Sequence, residues 1–288
     1  MKKAFLKDEA FVESVKSSIP NDESLSIWWV GQSGFLVCSK VANVLFDPYL
    51  SDSLTEKYSK TDKPHVRITE KVVSPNKLDF IDIVTSSHNH TDHLDASTLD
   101  PLFLANPSIT FIIPEANRNF IANRLNCDAN WPLGLNDNES RECCGVEISG
   151  VPAAHERVDR DQFGSCHYMG YVLKVGKWSI YHSGDTLLYE GIKDVLTPFK
   201  IDIALLPING RKPERRVAGN LDGQQAVSLA KDIGASCVIP CHYDMFEFNT
   251  ESTELFESTA IKISQPYCIL KNGQGMTTKN LGLKPRSD

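Results

Sequence analysis

The 288-residue sequence has no C-x-x-C pair, no basic surplus and no long unbroken apolar run, and each absence removes a class of protein. Its eight cysteines, Cys38, Cys127, Cys143, Cys144, Cys166, Cys237, Cys241 and Cys268, follow neither a disulfide framework nor the spacing of paired zinc thiolates. Several fall inside apolar runs such as GFLVCS and ASCVIPC and read as reduced, structural residues. The adjacent Cys143 and Cys144 read as a surface pair, with redox activity as the alternative. Thirty Lys and Arg against 37 Asp and Glu leave a formal charge of -7, so no broad cationic face for a nucleic-acid backbone is expected. Charges interrupt the N-terminal MKKAFLKDEAFVESVKSSIP before a signal-peptide core could form, and no later run is long enough to span a bilayer. The expectation is a cytoplasmic protein with neither nucleic acid nor membrane as partner.

What is present is a chain able to bury a large core, 41% hydrophobic and without an obvious linker. One domain over residues 1–288 is predicted, with a helical extension over 1–24. LSIWWVGQSGFLVCSKVANVLFDPYLS alternates apolar runs with Gly and Ser-Lys turns, the pattern of successive antiparallel strands. Residues 49–78 are polar and proline-punctuated and read as a long loop able to close over something. FIDIVTSS and SITFIIP are further strands, the second followed by a helix in EANRNFIANRL. CGVEISGVPAAHE, YMGYVLKVGKWSIYHSGDT and IDIALLPING supply four or five more. In LDGQQAVSLAKDIGA, Asp222 and Gln225 form a capping pair, Ala226, Leu229, Ala230 and Ile233 share a face, and Gly234 ends the helix. A strand in SCVIPCH follows. Strands, helix, strand in the second half roughly repeat the first, which fits an α/β class with two facing sheets and helices outside, a four-layer αββα sandwich.

Only eight histidines occur in the chain, and SSHNHTDHLD holds three of them, at the end of an apolar strand. A solvated polar loop is the plainest explanation of any one of these residues. Four chemically matched side chains, His88, His90, Asp92 and His93, on one turn are harder to explain that way, because imidazole nitrogen and carboxylate oxygen are the donors that zinc, manganese and iron take. The surplus over one ion's needs suggests two ions, His88 and His90 facing one and Asp92 and His93 the other. Two cations need further donors, and three more apolar runs end in them: VPAAHE in His155, WSIYHSGDT in Asp185 and CVIPCH in His242. A carboxylate bridges two ions where neutral imidazole seldom does, so Asp185 is the natural shared ligand.

SSHNHTDHLD, the isolated His155, YHSGDT and IPCHYD resemble, in order, the four motif blocks of the metallo-β-lactamase fold superfamily. Within it the chain looks most like the L-ascorbate-6-phosphate lactonase group, through WWVGQSGFLV, VTSSHNHTDHLD, SIYHSGDT, IDIALLPING and CVIPCHYD. The resemblance implies an αββα sandwich with the ions at the edge between its sheets. His88, His90 and His155 would hold the first, Asp92, His93 and His242 the second, and Asp185 both; Mn²⁺ and Zn²⁺ are the expected identities. It also implies a homo-oligomer.

Two cations sharing a water would lower its pKa toward neutrality and poise a hydroxide for attack on a lactone or ester carbonyl, with Asp92 moving a proton to the leaving alkoxide. The expected substrate is a small anionic metabolite, phosphorylated in the closest analogy. A phosphodiesterase is the alternative, and a noncatalytic metal-binding protein the third reading. Among residues outside the ligand set, His182 is expected either to support a ligand or to be structural, and His167 to touch substrate or mark a polar strand edge. The basic run NGRKPERR offers Asn209, Arg211, Lys212, Arg215 and Arg216 for an anionic tail, a solvated loop being the simpler meaning. His65 is expected to be solvated.

Overall fold

The period-2 alternation of the first strands sends neighbouring side chains into different cores. In the computed structural model, which describes residues 1–18, 20 and 24–285, Ile27 and Trp29 of β1 (Ser26–Gly31) join one buried cluster, and Trp28 and Val30 another. β2 (Gly34–Cys38) and β3 (Asn43–Phe46) divide their residues in the same way. All three strands are buried on both faces, so the sheet they start is an inner layer of the molecule.

That first sheet has seven strands in the order β13-β1-β2-β3-β4-β5-β6, with β4 (Ile83–Thr85), β5 (Thr110–Pro114), β6 (Leu133–Leu135) and β13 (Gly275–Thr277). Strands β13 to β3 run antiparallel to their neighbours and β3 to β6 parallel. The second sheet has the order β12-β11-β10-β9-β8-β7, built from β7 (Ser140–Cys143), β8 (Val146–Pro152), β9 (Met169–Val175), β10 (Trp178–His182), β11 (Ile203–Pro207) and β12 (Cys237–Cys241). Here too an antiparallel half, β7 to β10, continues into a parallel half, β10 to β12. The rough repetition read from the sequence is this shared plan.

The inner faces of both sheets meet in one core, where Trp29, Phe35 and Phe46 share a cluster with Tyr171, Leu173 and Tyr181. Outside the first sheet lie α1 (Asp8–Ser17), α3 (Ala96–Ala105) and α4 (Arg118–Leu125), through Phe11, Leu99, Leu102 and Ile121. Outside the second lie α5 (Ile192–Leu196), α6 (Gly223–Asp232) and α7 (Glu254–Ile263), through Leu196, Val227, Ala230 and Phe256. This is the αββα sandwich. Helix α6 carries the expected capping box: Asp222 Oδ1 accepts from the Gln225 amide at 2.8 Å, and Gln225 Oε1 accepts from the Asp222 amide at 3.1 Å.

Several expectations need correction. The N-terminal extension is helical only over Asp8–Ser17, and its residues 19 and 21–23 lie outside the described residues. The loop over 49–78 contains a short helix, α2 (Ser53–Tyr58), held by Leu54 inserting beside Tyr49, Met245 and Phe246. His167 precedes β9 by two residues and does not open it. Among the described residues no helix is long and apolar enough to cross a membrane, and all eight cysteines are free thiols, Cys144 exposed at the β7–β8 turn.

Candidate metal centre

Strands β3, β4, β8, β10 and β12 all deliver their carboxyl ends to one edge of the sandwich. β4 ends at Thr85, and residues 86–95 follow as an irregular segment whose central turn is closed by the His93 and Leu94 amides donating to His90 O at 3.0 and 2.8 Å. Asp47, just past β3 and fully buried, anchors this segment at three points. Its Oδ1 accepts from Thr85 Oγ1 at 2.9 Å and from the Ser87 amide at 3.0 Å, and its Oδ2 lies 2.7 Å from His93 Nδ1. The neighbouring loops are tied in as well. Met169 N donates to Ser87 O at 3.0 Å, Ala154 N donates to Thr186 Oγ1 at 3.0 Å, and His242 N donates to Gln32 O at 2.9 Å.

Two donor groups result. His88, His90, His155 and Asp185 offer ligand atoms within 4.8 Å of one another, and so do Asp92, His93 and His242. Asp185 stands between them: its Oδ1 is 3.4 Å from His93 Nε2, and its Oδ2 is 3.4 Å from His242 Nε2 and 3.7 Å from His155 Nε2. Asp92 Oδ2 is 3.6 Å from His242 Nε2 and 3.7 Å from His93 Nε2. The seven residues singled out in the sequence therefore converge, split as the family resemblance implies, with Asp185 positioned to serve both groups.

The chemistry of the donors fits divalent cations. Buried polar groups ordinarily find partners, yet His88 Nε2, His93 Nε2 and Asp185 Oδ1 are buried with no hydrogen bond. The far sides of the rings are occupied instead: His93 Nδ1 by Asp47, His155 Nδ1 by Gly219 O at 3.1 Å, and His88 Nδ1 by Ser87 Oγ at 3.0 Å. A ring that donates Nδ1–H to an oxygen presents an unprotonated Nε2, the arrangement common in metal sites. Burial, then the neighbouring His93 and His90, holds His88 well below its ordinary pKa. His90 is the most exposed donor, but desolvation within the cluster and the adjacent His155 lower it to about 4. His93 moves the other way: burial alone would lower it, but Asp185 and Asp92 raise it well above the ordinary value. Asp185 is held well below the carboxylate range, because the His242 and His93 charges outweigh the burial that would raise it. Asp185 and Asp92 thus stabilise a second proton on the His93 ring, the place that a bound cation would take.

The other candidates separate. His182 is buried behind the site, its Nε2 2.7 Å from Ser33 O and its ring stacked on Phe46 at 5.0 Å; it is a structural residue. His167 Nδ1 bonds Asn117 Oδ1 at 3.0 Å, and the residue is absent from the cavity wall. Arg211 pairs with Glu156, and Lys212 with Glu251. Arg215 is buried and satisfied by Asn209 O, Thr250 O and Glu251, so it ties a loop together. Asn209 is buried and bonded to the Asn249 and Asn220 side chains, which do reach the cavity. Of the basic run, Arg216 alone lines the cavity. His65 is half-buried, not solvated, and stacks on Tyr58 at 4.2 Å.

Sequence reasoning missed Asp47, Gln32 and Tyr168. Gln32 Nε2 donates to Asp92 Oδ2 at 2.8 Å. The Tyr168 ring packs 5.3 Å from His88 and 5.5 Å from His155. Of the three, only Gln32 carried a signal, its place in the tight GQSG turn between two strands.

A two-sheet sandwich with a His/Asp centre at one edge defines a metallo-β-lactamase fold protein. The chain belongs to the beta-lactamase superfamily, whose domain model matches residues 26–242. A UPF0173 metal-dependent hydrolase of Methanosarcina mazei is 25% identical over 256 residues, covering 88% of this chain and 98% of the relative. Among solved structures, the metallo hydrolase Igni18 of Ignicoccus hospitalis superposes with a TM-score of 0.63 at 20% identity, over 88% of this chain and 98% of that one. An isothiocyanate hydrolase from Delia radicum gut bacteria superposes with a TM-score of 0.68 at 16% identity, over 87% and 98%. The chain is thus a member of the superfamily with a His/Asp cluster able to hold metal ions, and is similar to relatives named metal-dependent hydrolases.

Proposed function

We propose that the protein hydrolyses a carboxylic ester or lactone of a small anionic metabolite, with two divalent cations held by the donor cluster. The observation that carries this reading is the cluster of unpartnered His88 Nε2, His93 Nε2 and Asp185 Oδ1, in a donor set of which His90, Asp92, His155, Asp185 and His242 line an open cavity of about 390 Å³. A space of that size suits a small molecule. Cations bound there would supply Lewis acidity and a water that ionises near neutral pH.

The chain's own residues do the rest. Asp47 and Gly219 O fix His93 and His155 in the tautomer that aims Nε2 inward. Asp185, 4% exposed, is shielded from bulk water and keeps its charge through the surrounding histidines. Asp92 is the more accessible carboxylate and lines the cavity, so it is the group placed to carry a proton to the departing alkoxide. Gln32 holds Asp92 in position from the protein side. Lys57, Arg124 and Arg216 also line the cavity, which favours an anionic substrate.

The test pairs metal analysis with an assay panel. Purified protein reconstituted with Zn²⁺ or Mn²⁺ is expected to hold about two ions per chain and to hydrolyse 4-nitrophenyl esters and lactones faster than bis(4-nitrophenyl) phosphate. Activity on the phosphodiester alone would overturn ester specificity in favour of phosphodiester cleavage. Fewer than about one ion per chain, unchanged in Asp185→Asn, would remove the metal centre itself.

A further inference from the structure

Two parts of the cavity wall have no role in holding metal. One is aromatic. Tyr58 and His65 stack at 4.2 Å, and His65 meets Phe248 edge-on at 4.5 Å and Phe246 at 5.4 Å; all four rings line the cavity. Phe246 is buried, whereas Tyr58, His65 and Phe248 are half-exposed, so this wall presents ring surface to whatever enters.

The other part is cationic, Arg124 standing on this wall with Lys57 and Arg216. Arg124, on α4, is half-buried and lines the same cavity. Among the described residues it is the only arginine without a carboxylate within ion-pair distance. Its hydrogen bonds, to Asn89 O at 2.6 Å and Leu94 O at 3.2 Å, both leave from Nη1. Those carbonyls flank the His90–His93 turn, so the guanidinium stands beside the metal donors. Asp95 acts on it only from beyond ion-pair distance, and Phe120 lies under the guanidinium at 4.5 Å. A partly desolvated cation without a contact ion pair costs stability that an incoming anion recovers, and a guanidinium is shaped for two-point contact with carboxylate or phosphate.

We infer that the substrate joins an oxyanion group, received by Arg124, to an apolar or planar part laid on the Tyr58, His65 and Phe248 wall. The inference rests on the hydrolase reading for the word substrate, while the binding it describes stands on Arg124 and the rings alone. An acidic ester or lactone with an aryl or alkyl portion uses both.

The experiment uses zinc-loaded protein and the variant Arg124→Gln, which keeps a donor for the Asn89 and Leu94 carbonyls but removes the charge. Mono-4-nitrophenyl glutarate and 4-nitrophenyl butyrate differ chiefly by a terminal carboxylate. Wild type is expected to favour the glutarate in kcat/KM by about tenfold or more, and R124Q to lose that preference mainly through KM, with R124K retaining part of it. A merely structural arginine would lower both esters equally, so an unchanged ratio in R124Q overturns the assignment. Calorimetric binding of phenyl phosphate and hydrocinnamate to the same samples separates the two hypotheses. If neither ester is cleaved the ester-hydrolase reading fails, yet Kd for the better of the two ligands should still rise about tenfold in R124Q; equal Kd values sink the anion site. Which of the two binds more tightly distinguishes phosphate from carboxylate. Phe248→Ala is expected to weaken phenyl phosphate more than inorganic phosphate, and equal losses would remove the aromatic wall from the proposal.

Discussion

Asp47 ligates no metal in either donor group, yet the site depends on it. One buried carboxylate accepts from Thr85, Ser87 and His93, and so fixes both the path of the donor segment and the tautomer of one donor ring. Asp47→Ala is expected to lower metal affinity by about 10–100-fold, read by competition with a chromophoric chelator; an affinity within about twofold of wild type would show that His93 is oriented by other groups. Residues like this leave little trace in a sequence. An aspartate after a strand is commonplace, and its three partners lie 38 to 46 positions away. Arg124 is equally quiet inside FIANRL. The basic run 211–216 was conspicuous for the opposite reason, and its charges are absorbed by Glu156, Glu251 and Asp62, which local composition cannot pair with it.

Elements were legible where local chemistry declares them. The Asp222–Gln225 box marks α6 and the apolar run of SIWWVG with the glycine turn after it marks β1, because each signal is complete within a few residues. Helix α2 hides in a polar segment, since its one buried residue, Leu54, finds its apolar partners near residue 246. The turn from β10 to Asp185 depends on Gly184, at φ +58°, where an added Cβ would lie 2.6 Å from Ser87 Cβ and 2.9 Å from Met169 O. Gly184→Ala is therefore expected to destabilise the metal-free protein by about 1–3 kcal/mol in urea denaturation and to reduce metal occupancy. Wild-type stability with wild-type metal content would show that the turn relaxes without moving Asp185.

At the scale of the molecule, the centre joins two layers. His88, His90, Asp92 and His93 follow a strand of the first sheet, and His155, Asp185 and His242 follow strands of the second. Ions bound there would brace the sandwich along one edge as well as equip it for chemistry. Stripping them with a chelator is expected to lower Tm, since a ligand at about 100 times its Kd contributes roughly 2.7 kcal/mol. Identical calorimetric traces with and without chelator would mean that the edge is held by protein contacts alone.

The pairing of β13 with β1 reaches further than packing. Ser26 lies opposite Thr277, and Leu25 and Thr278 exchange hydrogen bonds at 3.0 Å across some 250 residues of chain. During synthesis β1 leaves the ribosome some 250 residues ahead of β13 and must wait for it before its open side is covered. Until then it is an unpaired, tryptophan-rich edge of the kind that invites other chains to add on. A nascent chain halted before residue 275 keeps all seven metal donors and still displays that edge, so quality control would meet an adhesive, metal-competent intermediate rather than an unfolded one.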